Sequence, residues 1–415
     1  MLTPLDGLAH NPAAPVDLLI RLLDVDAAGL AYRRHLPDPL VDAMVSHPRR
    51  AVREILAMSL GATGAQRARL VHDPAASIRE IIASGETHRR GRSALPAVAY
   101  ETLAADQDAD VRRALMLAPA LPDQVWARLL DDPDTSVRTS AMISLAPGRA
   151  DIAARLARVA SREALSVTAF TRSRFADLAT DPDPEIRQAI AANRHTPHDL
   201  LLALGHDPDP SVRLAAALNP ELSDQERDGI DYDGGPRDDL RPPSWWANCL
   251  DDLPLMRRAA GSTHHGLRRA AAYSPWLPAD LVTRLAADED FVVRLILAEH
   301  HPDAPGELLL AVAVESPFVT RFDQIHHRNF PREGLADRVA CSPDPAVRLL
   351  AVLDPEAPPS LIEALSEEFP TSAASSDPRL PRARVLALYA DSRTRPVAAA
   401  NPLLPVELML EILGP

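Results

Sequence analysis

The chain has 415 residues, with 44 Lys+Arg against 58 Asp+Glu and a formal net charge of −14 at pH 7. That balance argues against a general nucleic-acid or anionic-membrane binder, because neutralising phosphates takes a basic surface; it leaves room only for a local basic groove. A hydrophobic content of 46% excludes wholesale disorder, and two cysteines, Cys249 and Cys341, are too few for a disulfide framework or a multi-Cys metal site.

Aromatic residues are only 4%, so the apolar content is mostly Ala, Leu and Val, which suits closely packed helices. Forty prolines against sixteen glycines predict many short helices, with proline at their starts and in turns. Every cation among the Lys+Arg is Arg. Without Lys, a P-loop, a Schiff base and a Ser-x-x-Lys nucleophile are excluded. The Ala, Pro and Asp bias fits a GC-rich bacterial genome. The start "MLTPLDGLAHNPAAP" has neither a basic nor an apolar leader region, and the longest apolar run, Leu308–Val314, is too short to span a bilayer. A cytoplasmic location is expected.

In chain order, the first predicted helix is "VDLLIRLL", after Pro12 and Pro15. Val/Ile-Arg anchors then recur at Arg53, Arg79, Arg112, Arg138, Arg187, Arg213, Arg294 and Arg348, with Leu267-Arg268 as a near match. Several intervals are 26 residues, as between Arg187 and Arg213; the longer ones read as two repeats with a degenerate anchor between them, near Arg162, within Arg227–Leu250 and at Arg321. A period of this size predicts a stacked array. Four residues before the anchor stands Asp108, Asp134, Asp183, Asp209, Asp290 or Asp344, and Pro184, Pro210 and Pro345 follow three of them. Asp then Pro predicts a helix start, with the carboxylate as cap and the proline in the first turn. A second start recurs at Pro119/Pro122, Pro220, Pro275/Pro278, Pro355/Pro358 and Pro402/Pro405, leading into Leu-rich segments. Each unit is thus two short helices that can bury their faces only against neighbours. Val52 with Leu56, Ile186 with Ile190 and Val293 with Leu297 share the predicted core face. The anchor Arg sits at the edge of that face, either lining a binding surface or bonding within the stack; the fixed offset favours the latter.

The units "DPDPEIRQAIAANRHTP" and "DPDPSVRLAAALNPELS" resemble leucine-rich repeat variants, a bacterial family related in style to HEAT-like repeats. The resemblance runs from about Asn11 to Leu413. It implies an all-α fold, a right-handed α-solenoid of two-helix repeats with some 3-10 helices. Some family members carry an iron–sulfur cluster on an N-terminal cysteine-rich segment; no cysteine precedes Cys249 here, so no such cluster is expected. No cofactor is expected at all.

Three segments interrupt the period. "GETHRRGRS", Gly85–Ser93, holds Arg89, Arg90 and Arg92 and is a candidate contact for an acidic partner or simply a solvated loop. Residues 227–252 carry Asp228, Asp231 and Asp233 beside glycines, but the calcium-loop pattern fails for want of a Glu at the twelfth position. The same segment carries Trp245 and Trp246, either a binding hot spot or a plug where stacking fails. Ser366–Val385 reads as a flexible loop. The expected organisation is a repeat array over 1–226, the insertion 227–252 and a second array over 253–415, in one continuous solenoid. His264-His265, His300-His301 and His326-His327 stand out, but adjacent histidines rarely face one ion, so no metal site is expected.

No Gly-x-Ser-x-Gly, His-Glu-x-x-His or Cys-x-x-Cys is present. The reading is a non-catalytic scaffold for a protein or peptide. A nucleic-acid-directed alternative resembles HEAT-like alkylpurine DNA glycosylases by fold analogy only, and the acidic charge opposes it. The residue after each anchor shifts from Glu54, Glu80, Arg113, Thr139 and Gln188 to Leu214, Leu295 and Leu349. Those leucines, with Trp245 and Trp246, are candidate partner contacts; the alternative is that they pack beneath loops.

Overall fold

A computed structural model describes residues 3–85, 94–118, 121–145, 152, 162–231, 249–315 and 322–414. Among the described residues every regular element, from Pro4–His10 to Val406–Leu413, is an α- or 3-10 helix. None is long and apolar enough to cross a membrane. The chain forms two compact units, one of Met1–Leu129 with Arg332–Pro415 and one of Leu130–Pro331.

Short helices form where the caps dictate. Asp108, Asp183, Asp209, Asp290 and Asp344 each accept the backbone N–H two residues on, and Pro184, Pro210 and Pro345 occupy the first helical turn. The carboxylate satisfies a donor that the helix leaves free, and the proline has no donor to lose. The Leu-rich helices open differently. Pro15, Pro197, Pro278, Pro358 and Pro405 stand before the first turn with no side-chain bond, holding an extended backbone that turns the chain into the helix.

These helices pack through one apolar stripe each. Val52, Leu56, Ile190, Val293 and Leu297 are buried, while Ile186 is half-buried against the same core. In the second unit Phe175, Leu178, Ile190, Leu201, Leu204, Val212 and Leu222 form one cluster across successive helices, with Ala189, Ala191, Ala216 and Ala217 between them. Small side chains at these contacts bring the helices close enough to interdigitate.

The recurring Asp-Pro-Asp-Pro and Arg are two ends of one bond. Arg187 donates through Nε and Nη2 to the Asp207 carboxylate at 2.8 and 2.9 Å, and through Nη1 to the carbonyls of Asp181 and Pro182. Arg213, one repeat on, donates to the Asp207 carbonyl at 2.7 Å and to the carbonyls of Pro208 and Asp231. Asp207 thus holds two successive arginines, one by its carboxylate and one by its backbone. Its Oδ1 also accepts the N–H of Asp209, the next cap. Asp288 does the same for Arg268 and Arg294, and in the first unit Asp73 does so for Arg53 and Arg79, and Asp106 for Arg79 and Arg112. The anchor arginines at 187 and 213 are therefore bonded to the turns between successive helices. A planar guanidinium with five donors suits this bridge in a way that an ammonium does not, which gives the all-Arg composition a structural use.

The segment Ser366–Val385 differs from the flexible loop expected. It holds the end of helix Pro359–Glu368, a 3-10 turn at Ala373–Ser376 and the start of helix Arg382–Ala390. Ser366 and Ser375 are fully buried, and their hydroxyls lie 3.0 Å apart. Its Ser and Pro composition mimics a linker, but these are helix-end residues packed under a neighbour.

Candidate interaction surface

A second ladder runs through the turns between helices and sets out the surface. In the second unit Asn193 donates to the carbonyls of Leu165 and Thr168, at 2.7 and 2.8 Å. Asn219, 26 residues on, donates to Ala191 and Asn193, at 2.8 and 3.0 Å. Both are fully buried. Each Oδ1 also accepts the N–H two residues ahead, from His195 and Glu221. Ser274, His301 and His327 take the same place. The Ser274 hydroxyl donates to the Leu250 carbonyl and accepts from the Trp276 N–H. His301 Nδ1 accepts the Asp303 N–H at 3.1 Å, so Nε2 carries the proton and donates to the Leu277 carbonyl at 3.2 Å. His327 repeats this with Asn329 and the His301 carbonyl. An imidazole offers a donor and an acceptor much as an amide does. Two of the sequence's three His pairs thus place one ring each in a structural slot. In the third, His264 accepts the Gly266 N–H as a helix cap.

The result is a row of residues whose backbone is pinned while the side chain faces solvent. His195, Glu221, Trp276, Asp303 and Asn329 are all exposed, and Trp276 is the most open large apolar side chain described, at 71%. In the first unit Ala13, Glu356 and Leu403 hold the corresponding place, their N–H groups accepted by Asn11, Asp354 and Asn401. At these turns one position is held alike and filled differently; at two others it is spent on packing, since Arg379, after Asp377, donates to the carbonyls of Val352 and Asp354, and Gly61, after Ser59, stands where a Cβ would meet the Arg33 carbonyl.

Charged neighbours decorate the row in the second unit. Arg258 pairs with Glu221 at 3.2 Å, and Arg328 pairs with Asp303. Arg194 donates to Asp252 at 2.9 Å and to Cys249 Sγ at 3.4 Å. Burial pushes the Cys249 thiol up, outweighing the pull of Arg194 toward thiolate, so this cysteine is held as a thiol. Beside Glu221 lies a cleft of about 270 Å³ lined by Leu222, Ser223, Asp224, Arg257, Arg258 and Ser262. Burial raises Asp224, but the Ser262 hydroxyl and Thr263 N–H more than offset it and leave the carboxyl below its ordinary value. The Ser223 hydroxyl and amide, with His198, draw Glu226 down to about 2. These groups are fixed charges bonded to their neighbours. Among the described residues no group of three or more His, Cys, Asp and Glu is placed to hold a metal ion.

Of the candidate contacts read from the sequence, Leu214, Leu295 and Leu349 are half-buried. Arg89, Arg90, Arg92, Trp245 and Trp246 lie outside the described residues. Sequence reasoning missed Trp276 and the row it belongs to. The signal was present in the turns: each row member stands two residues after a recurring Asn, His, Ser or Asp.

The chain matches no family model and no curated protein. Among solved structures, the crystal structure of an engineered protein is similar at 15% identity, over 99% of this chain and 93% of that one, with a TM-score of 0.16. A likeness that slight carries no argument about this chain.

Proposed function

We propose that this protein is a non-catalytic scaffold, a right-handed α-solenoid of leucine-rich-repeat-variant type, that binds a protein or peptide partner in the cytoplasm. The observation that carries the reading is the division of labour within each repeat. The recurrent Arg, Asp and Asn side chains are spent on bonds between neighbouring segments, and in the second unit the pinned turn residues His195, Glu221, Trp276, Asp303 and Asn329 are exposed and differ from turn to turn. Repeat proteins specialise in this way, with shape set by the stack and recognition by side chains that the stack does not need. Trp276, the most exposed large apolar side chain described, is the natural anchor for such a contact. The arginines that would have lined a nucleic-acid groove are engaged with carbonyls and carboxylates. A peptide-display selection on the immobilised chain tests the reading. Enrichment of a consensus binding with micromolar or better affinity is expected. A chain that enriches no peptide yet binds a DNA duplex tightly and with steep salt dependence contradicts it.

A further inference from the structure

We propose that the two ends of this chain cap each other as successive repeats, forming a clasp that makes residues 3–25 and 395–414 one cooperative element. Asn11 is fully buried and donates through Nδ2 to the carbonyls of Ala399 and Asn401, both at 2.8 Å, across 388 and 390 residues of chain. This is the bond pair that Asn219 makes to Ala191 and Asn193 within a continuous stretch. The ladder continues in both directions from the break. Asn401 donates to the carbonyls of Ser375 and Asp377, Arg379 to those of Val352 and Asp354, and Arg33 to those of Ala9 and Asn11. Arg379, Asn401, Asn11 and Arg33 are thus four rungs in order, and the missing peptide link between Asn401 and Asn11 leaves no mark on them.

The packing follows the bonds. Helix Pro4–His10 lies on helices Arg395–Ala399 and Val406–Leu413, and helix Val16–Val25 also meets Val406–Leu413. Leu8, Ala9, Ala398 and Ala399 are fully buried at this seam. A Cβ on Gly7 would stand 1.9 Å from the Pro396 carbonyl oxygen, so the approach of the two end helices requires glycine there. Arg21 reaches the Gly414 carbonyl at 3.1 Å and ties the last residue described. Residues 4–25 and 395–413 thus bury each other's apolar faces.

Amide hydrogen exchange on the whole chain tests the clasp with Asn11→Ala and Gly7→Val. In both variants exchange is expected to accelerate at least tenfold in 4–10 and, together with it, in 395–411. Asn219→Ala, which breaks a rung elsewhere, should leave both end segments at the wild-type rate. Acceleration confined to 4–10, with 395–411 unchanged, overturns the proposal. Should Gly7→Val fail to fold, a chain whose ends are joined through a short Gly-Ser linker gives the converse test. Joining ends that already touch should slow exchange in both segments and raise the melting temperature; no change in either overturns the clasp.

Discussion

Removing the Asp207 carboxylate attacks the stack at a node. Asp207 and Arg187 are only 7% and 13% exposed, and two guanidinium nitrogens meet two carboxylate oxygens. Deleting one partner of a fully buried pair costs about 3–5 kcal/mol because the other charge is left stranded. Here the loss should be smaller, since Arg187 keeps the carbonyls of Asp181 and Pro182. Asp207→Ala is therefore expected to cost about 2–3 kcal/mol, with a coupling of about 1.5–2 kcal/mol in a double-mutant cycle with Arg187→Ala. The matching control is Arg172–Asp199, a pair of similar geometry but 67% and 59% exposed, where solvent screening should leave the coupling clearly weaker. Amide exchange in helices Pro184–Ala192 and Pro210–Ala217 reads the local free energy on either side of the node. Equal coupling at the two pairs would refute the claim that burial of the Arg–Asp ladder holds successive repeats together.

Asp183→Ala and Asp209→Ala should each destabilise by about 1 kcal/mol through a lost helix cap, seen as a lower urea midpoint with the slope unchanged. Two node carboxylates, Asp207 and Asp106, contribute to the acid limit. The Arg187 bond, acting against burial, holds Asp207 below its ordinary value near 3.8; at Asp106 burial pulls upward, and Arg79 with the Asp108 N–H outweighs it. A folded-state pKa below the unfolded one means stabilisation that is complete above about pH 5 and is lost as pH falls through the depressed range. Urea midpoints measured from pH 5 down to pH 2 should fall in the wild type, and the fall should be shallower in Asp207→Ala. A wild-type midpoint that stays flat to pH 2 contradicts the sign.

The all-helical fold was legible because its grammar is local. Asp-Pro capping and the Val/Ile-Arg offset each need only a few neighbouring residues, and helices stand at Pro184–Ala192 and Pro210–Ala217 where the pattern puts them. The partners of the anchors were less legible. The 26-residue period brings Arg187 to Asp207, but nothing in the spacing says that one aspartate serves two arginines, because one of its two contacts is a backbone carbonyl. The pairing of Asn11 with Asn401 was beyond reach, since no local signal links residues so far apart. Trp276 was passed over because a lone aromatic after Ser-Pro carries no motif; only the bonds of Ser274 show that its backbone is held in a recurring slot. Leu214, Leu295 and Leu349 were singled out because they follow the anchor arginines, an offset that does not say how far each is covered; all three are half-buried.

The most direct test is the affinity of a selected peptide or protein partner for the wild type and for Trp276→Ala, measured by calorimetry beside the melting temperature of each. With 71% of its surface open, Trp276 adds little to the fold, so the variant should melt with the wild type. Binding should weaken at least about tenfold, or about 1.4 kcal/mol, as the loss of an aromatic anchor requires. An unchanged affinity, or a loss that appears only because the variant is unfolded, would contradict the assignment of the pinned turn residues as the recognition surface.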